Sequence, residues 1–243
     1  MISIAAVIPG SETPVGVGTT GAMRCSLVLP DGARRAAILK RGPLAHVAAE
    51  AFSAILLRRW GLPVPDPFLI PESDGVAFAS ADAGYPNLKQ RLWVSALMEG
   101  AQRATAELAI FHIATTLQSA PLAAVVDQAI DNRDRNLENI LWDGAREAWI
   151  DHAYAMGNGR QMRDVNKLCD MSTQAGTHVE MCKSAVAKAL ALDAQAIHHA
   201  APQIPGVLGP ERMATFVAAR MTSLASAVLD RFPQPDDLLS AAR

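Results

Sequence analysis

Cysteine is scarce and odd in number: Cys25, Cys169 and Cys182 lie far apart. That is no disulfide framework, and it fits a reducing compartment. No charge of one sign dominates. Twenty-two basic residues against 24 acidic ones leave a formal net charge of −2, which gives no electrostatic footing for nucleic acid or an anionic membrane surface. Long apolar runs are also missing, because the best one, residues 104–117, is short and contains Glu107 and His112, where a spanning helix needs about 18 to 20 uncharged residues. Residues 1–10 are apolar but lack a basic stretch and a small-residue cleavage site, so they read as a first strand. These absences lead us to expect a soluble, cytoplasmic protein with no membrane and no direct nucleic-acid contact. No internal repeat or low-complexity tract is evident. What is present is hydrophobic residue, half of a 243-residue chain, which suffices for one large domain or two small lobes with a real core.

Residues 2–8 are stopped by Pro9-Gly10, and residues 23–29 by Pro30-Asp31-Gly32, before a further apolar run at 36–40. The Asp-Gly turn between two such runs predicts an antiparallel hairpin over 23–40. Pro43 then opens a helix with Leu44, Val47, Ala48, Ala51 and Ile55 at helical spacing, and Gly61 ends it before Pro63 and Pro65. Two short strands follow, at 67–70 and 75–80. Beyond residue 81 the spacing is helical at 88–98, 102–118, 121–130, 179–191, 193–199 and 210–232. It is broken by one small hairpin, in which 139–142 and 148–150 flank Asp143-Gly144 and lead to Asp151. A β-rich first third and a helical remainder are an α+β order, not βαβ alternation. We therefore expect two lobes, residues 1–80 and 81–243, with a cleft between them.

The segment Asp131-Asn-Arg-Asp-Arg-Asn-Leu-Glu-Asn139 is polar where its flanks are apolar. Phosphoryl transfer needs a carboxylate near the attacking hydroxyl and oxygen ligands that hold Mg²⁺ against nucleotide phosphates. Asp134 and Asn139, five apart, repeat the catalytic-loop spacing of kinases. If Asn139 begins one arm of the hairpin and Asp151 ends the other, the two side chains reach the same end of the ribbon, where one metal can bridge them. Asp131 and Asp143 read instead as cap and turn residues. Lys40 ends an apolar strand ten residues before Glu50 on the next helix, the order in which kinases hold a phosphate-binding lysine with its paired glutamate. Gly16-Val-Gly18-Thr-Thr-Gly21 fits the dinucleotide fingerprint G-x-G-x-x-G, but it runs into a strand and not a helix. A loop covering phosphates, or an ordinary flexible loop, suits it better. His178-Val-Glu180 with Cys182 lacks the Pro-Cys-x-x-Cys that a zinc deaminase requires and is set aside. His198-His199 reads as a helix end, and the Met and Leu stripe from 213 to 229 as core.

Taken together, Asp31-Gly32 to Lys40-Arg-Gly, Glu50 through Gly61-Leu-Pro-Val-Pro65, Ala77-Phe-Ala-Ser80, Asn132-Arg-Asp-Arg135 with Asn139-Ile-Leu-Trp142, and Ile150-Asp-His152 resemble the HipA-like kinases, in particular their compact single-domain branch. A more distant similarity is to the phosphatidylinositol 3-/4-kinases. The resemblance spans residues 12–155. It implies a bilobal kinase fold, ATP with Mg²⁺, and a protein Ser or Thr as acceptor, with an antitoxin-like regulator among the partners it admits. On that reading Asp134 is the base, Asn139 and Asp151 ligate metal, Lys40 contacts phosphate with Glu50 beside it, and Phe78, Ala79 and Ser80 lie near the adenine-binding hinge. Gly16 and Gly18 would belong to the phosphate loop, although the long 9–21 segment departs from the family pattern. A nucleotide-binding scaffold without transfer, and transfer to a lipid or small metabolite, are the competing readings.

Overall fold

The computed structural model describes residues 1–15, 21–92 and 100–234. Its first part is a seven-stranded sheet with a single helix. Two two-residue strands come first, β1 (Ser3–Ile4) and β2 (Ala6–Val7), followed by β3 (Thr13–Pro14). The expected hairpin is formed by β4 (Met23–Val28) and β5 (Arg34–Lys40), paired antiparallel from Met23 opposite Leu39 to Val28 opposite Arg34. Gly32 supplies the φ of +82° that the turn requires, and Asp31 accepts a hydrogen bond from the Ala33 N–H. Helix α1 (Leu44–Arg59) then precedes β6 (Pro67–Glu72) and β7 (Gly75–Ala81).

The first apolar run is not one strand. Residues Ser3 and Ile4 pair parallel with Phe68 and Leu69 of β6, whereas Ala6 and Val7 pair antiparallel with Val28 and Leu27 of β4. Since the path through the sheet is β1-β6-β7-β5-β4-β2, the chain crosses from one edge to the other at Ala5 and closes the sheet on itself. Closure satisfies backbone groups that open edges would leave unpaired. The enclosed space is filled by small and medium side chains: Ala5, Cys25, Leu27, Ala37, Leu39, Phe68, Ile70, Ala77 and Ala79. Alternation along β5 and β7 sends Ile38, Lys40, Phe78 and Ser80 to the opposite face.

Helix α1 is buried almost all round, from Val47 to Leu57, because it lies between the sheet and the helical part. Pro43 stands immediately before it, outside the first turn. Its end is a Schellman motif. Gly61, at φ +84°, donates to Arg58 O at 3.1 Å, and Leu62 donates to Leu57 O at 2.9 Å.

The second part contains α2 (Leu88–Arg91), α3 (Gly100–Thr116), α4 (Ala120–Ile130), the hairpin β8 (Ile140–Trp142) and β9 (Glu147–Trp149), then α5 (Lys167–Gln174), α6 (His178–Ala191), α7 (Gln195–Ala200), α8 (Pro210–Met221) and α9 (Leu224–Leu229). The helical run expected over 88–98 continues into residues outside those described. The one expected over 210–232 is two helices. Met213, Val217, Leu224 and Val228 from this stretch join the main core with α1, α4 and α6. Among the described residues no single helix is long and apolar enough to cross a membrane. The architecture is α+β, sheet-rich first and helical afterwards, as the order of elements implies.

Candidate active site

Lys40 is the last residue of β5, on the face turned away from the barrel interior. Its ammonium donates to Glu50 Oε1 at 2.5 Å and to Asp151 Oδ1 at 2.8 Å. The second oxygen of Glu50 accepts the His152 backbone N–H at 3.0 Å. Three elements distant in sequence, β5, α1 and the segment after β9, are thereby tied at one point. Asp151 takes a left-handed φ of +65°, which costs a non-glycine residue roughly 1–2 kcal/mol. That turn aims its carboxylate at Lys40 and the next N–H at Glu50.

Burial is the largest single influence on both members of the Lys40–Glu50 pair, pushing the ammonium's pKa down and the carboxyl's up. Neighbouring charges reverse both effects. Glu50 and Asp151 carry Lys40 above its ordinary 10.5, and Lys40 with His152 holds Glu50 below its ordinary 4.5.

Asp134 lies on the loop between α4 and the hairpin. The spacing of Asp134 and Asn139 has a direct structural meaning, since Asn139 Nδ2 donates to the Asp134 carbonyl at 3.0 Å and closes the loop on itself. Asn139 ends a single 3₁₀ turn, Leu137–Asn139, and so precedes the strand that the sequence pattern has it begin. Its carbonyl accepts the Ile150 N–H at 3.1 Å, which places it opposite the residue before Asp151. The Asp134 carboxylate accepts from Lys167 Nζ at 3.3 Å.

Beneath this loop sits Arg135, 1% exposed. It grips Asp127 of α4 through two bonds and donates from Nη1 to Ile150 O at 2.8 Å and Asn139 O at 3.3 Å. Its Nη2 is 3.1 Å from His152 Nε2. One guanidinium thus fixes both arms of the hairpin at the level of Asn139 and Asp151. Asp131 occupies the left-handed C-cap of α4, and Asp143 accepts the N–H groups of Ala145 and Arg146 in the hairpin turn.

The cleft beside Lys40 is lined by Ile38, Ala54, Val64, Phe78, Leu141 and Ile150, with Lys40, Asp151 and His152 at its polar end. Apolar walls with a few polar groups at one end are the character of a small-molecule pocket. Phe78 and Ser80 line it, but Ala79 does not. Strand alternation turns its side chain into the barrel interior, where it is fully buried. Gly16 and Gly18 lie outside the described residues.

The oxygens available fit a hard dication. Asn139 spends its amide nitrogen on Asp134, and Asp151 gives one carboxylate oxygen to Lys40. Among the described residues no hydrogen bond engages the remaining side-chain oxygen of either. Nor do three or more His, Cys, Asp or Glu side chains converge there to form a complete cage, so an ion held at Asn139 and Asp151 would take part of its shell from phosphate and water.

Sequence pattern alone assigns no role to Asp127, Arg135, His152 or Lys167. A signal exists for Asp127, an acid within the apolar helix Ala120–Ile130 that demands a buried partner. None exists for Lys167, 33 residues from Asp134.

A closed sheet whose Lys40 is paired to the next helix and to Asp151, in the segment that follows a short hairpin, defines a kinase-like fold. No protein-family model matches the sequence, and no curated protein matches it. Solved structures do. The proinflammatory kinase CtkA of Helicobacter pylori is 14% identical with a TM-score of 0.58, the match covering 93% of this chain and 95% of that one. HipA of Shewanella oneidensis MR-1, solved in a complex of a toxin–antitoxin system with HipB and operator DNA, is 14% identical with a TM-score of 0.54, over 93% of this chain and 68% of that one. The likeness at this identity is one of fold, and it agrees with the HipA-like resemblance carried by the motifs.

Proposed function

We propose that the chain is an ATP- and Mg²⁺-dependent kinase that transfers the γ-phosphate to a hydroxyl, most fittingly a Ser or Thr of a protein, with residues 1–80 as the N-lobe and 81–243 as the C-lobe. The observation that carries this reading is the Lys40 ammonium held between Glu50 at 2.5 Å and Asp151 at 2.8 Å at the polar end of an apolar cleft.

In this reading the apolar walls formed by Ile38, Val64, Phe78 and Leu141 hold the adenine, and Lys40 orients the phosphates. Asn139 and Asp151 supply oxygens to the metal, which when bound neutralises charge on the phosphate oxygens. Asp134 accepts the proton of the attacking hydroxyl. Arg135 keeps the oxygens of Asn139 and Asp151 in register by binding the two adjacent carbonyls. Glu50 holds Lys40 in place and, through the His152 N–H, fixes the turn that presents Asp151. The near-neutral charge gives no support to a membrane-bound lipid acceptor. An antitoxin-like regulatory protein partner is part of the proposal, supported by the presence of HipB with HipA in the toxin–antitoxin complex above.

The test is titration of the full chain with ATP, with and without Mg²⁺, followed by transfer of labelled γ-phosphate to the chain itself and to a protein extract. Metal-dependent binding with labelled protein supports the kinase reading. Binding without any transfer identifies a nucleotide-binding scaffold, and no binding at all removes the reading.

A further inference from the structure

Resting on that kinase reading, we propose that Lys167 is a second catalytic lysine: it contacts the phosphoryl group in flight from the acceptor side, where Lys40 cannot reach. Lys40 is committed to Glu50 and Asp151 on the nucleotide side of the site. Asp134, facing the acceptor, is a carboxylate that must admit an anionic phosphoryl group, and like charges at that distance repel. The cation on the Asp134 carboxylate is Lys167, at 3.3 Å. This is also the one ion pair that Lys167 makes among the described residues.

The position is built. Lys167 is the first residue of α5, and the residue before it, Asn166, is buried and anchored twice. Asn166 Nδ2 donates to Ala124 O of α4 at 2.8 Å, while its Oδ1 accepts the Cys169 N–H at 3.4 Å. Leu168 and Cys169, next along the helix, are fully buried. The base of the lysine stem is therefore fixed to the core, while the side chain, 36% exposed, keeps the rotamer freedom to follow a moving charge.

In the transfer step the acceptor O–H bond breaks and its proton goes to the Asp134 carboxylate. The acceptor O–P bond forms as the bond from the γ-phosphorus to the β,γ-bridging oxygen breaks, and ADP leaves with that electron pair. Charge in the transition state spreads over the three equatorial oxygens. Lys167 remains protonated throughout and moves from Asp134 to one of those oxygens as the carboxylate is neutralised.

The experiment uses the full chain with MgADP, alone and with fluoroaluminate as a planar mimic of the phosphoryl group. Lys167→Met, Lys167→Gln and Lys167→Arg are compared with wild type by calorimetric titration, and melting midpoints are recorded. Loss of a half-exposed pair should leave the midpoint within about 3 °C. The expected result is that fluoroaluminate tightens wild-type MgADP binding by more than about tenfold, with Met and Gln losing that gain while keeping MgADP affinity, and Arg retaining part of it. Full tightening in Lys167→Met or Lys167→Gln overturns the assignment and leaves the kinase reading standing. A wild type that binds MgADP but gains nothing from fluoroaluminate overturns it equally. Failure of wild type to bind MgADP overturns the kinase reading and this inference with it.

Discussion

Arg135 and Asp127 face each other as a two-bond pair, Nε to Oδ2 at 2.9 Å and Nη2 to Oδ1 at 2.8 Å, with both side chains 1% exposed. A guanidinium so deep in the core is tolerable only while its carboxylate partner is in place. Asp127 also accepts from Asn132 Nδ2 at 2.8 Å, so the same carboxylate organises the loop that carries Asp134. Asp127→Ala strands the guanidinium, and we expect a loss of about 3–5 kcal/mol and a fall of about 10 °C in melting midpoint for a chain of this size. Urea and thermal unfolding measure both. A variant that melts within about 2 °C of wild type would show that Arg135 does not depend on this partner.

Asp134 and Asp151 should separate chemistry from binding. Asp134 is not one of the residues that line the cleft beside Lys40, and it has its backbone carbonyl, not its carboxylate, tied to Asn139. Asp134→Asn is expected to cut labelled-phosphate transfer by about 10²- to 10⁴-fold with MgATP affinity and melting midpoint close to wild type. Asp151→Ala removes a carboxylate from Lys40 and a proposed metal ligand, so it should weaken MgATP binding itself and reduce the dependence of binding on Mg²⁺. Wild-type transfer in either variant would take that residue out of the proposed site.

The Met23–Lys40 region and the Lys40-to-Glu50 order are legible in sequence because they are local: a turn dipeptide between apolar runs, then Pro43 and Gly61 bracketing a helix of correct spacing. Asp151 is legible by analogy of position, but not its φ of +65°, which no composition announces in a non-glycine residue. The closing of the sheet is hidden for a different reason. Strands of two residues carry too little alternation to name their partners, and the switch at Ala5 from Leu69 to Val28 is decided by tertiary packing. Lys167 does not stand out among the chain's 22 basic residues, since its neighbour Asp134 becomes visible only once α5 is docked on α4.

The apolar cleft makes its own prediction. Ile38 is only half-buried and lines the cleft together with Val64 and Leu141, so truncating it should cost less in folding than in binding. Removing three carbons from a contact that nucleotide would cover forfeits roughly 0.8 kcal/mol per fully buried methylene. Ile38→Ala should weaken ATP affinity by about tenfold, measured by titration, while the midpoint of urea unfolding moves little. Unchanged affinity would mean that the adenine ring does not rest on this face of β5.

The Lys40–Glu50 pair fixes a sign for the dependence of stability on pH. Glu50 is held below its ordinary 4.5 in the folded chain, chiefly by Lys40 and His152 acting against burial, so its contribution is fully present above the unfolded value and is lost as pH falls through the folded one. Lys40 is held above its ordinary 10.5 by Glu50 and Asp151, again against burial, so its contribution survives until the pH rises past 10.5 towards the folded value. Between these limits both charges persist and the pair should be insensitive to pH. The stability difference between wild type and Glu50→Gln, from urea unfolding, should therefore be level from about pH 6 to about pH 9 and shrink below about pH 4.5 as the unfolded carboxyl takes up its proton. A difference that instead grew in acid would mean that Glu50 is protonated in the folded chain, and Lys40 would then be held by Asp151 alone.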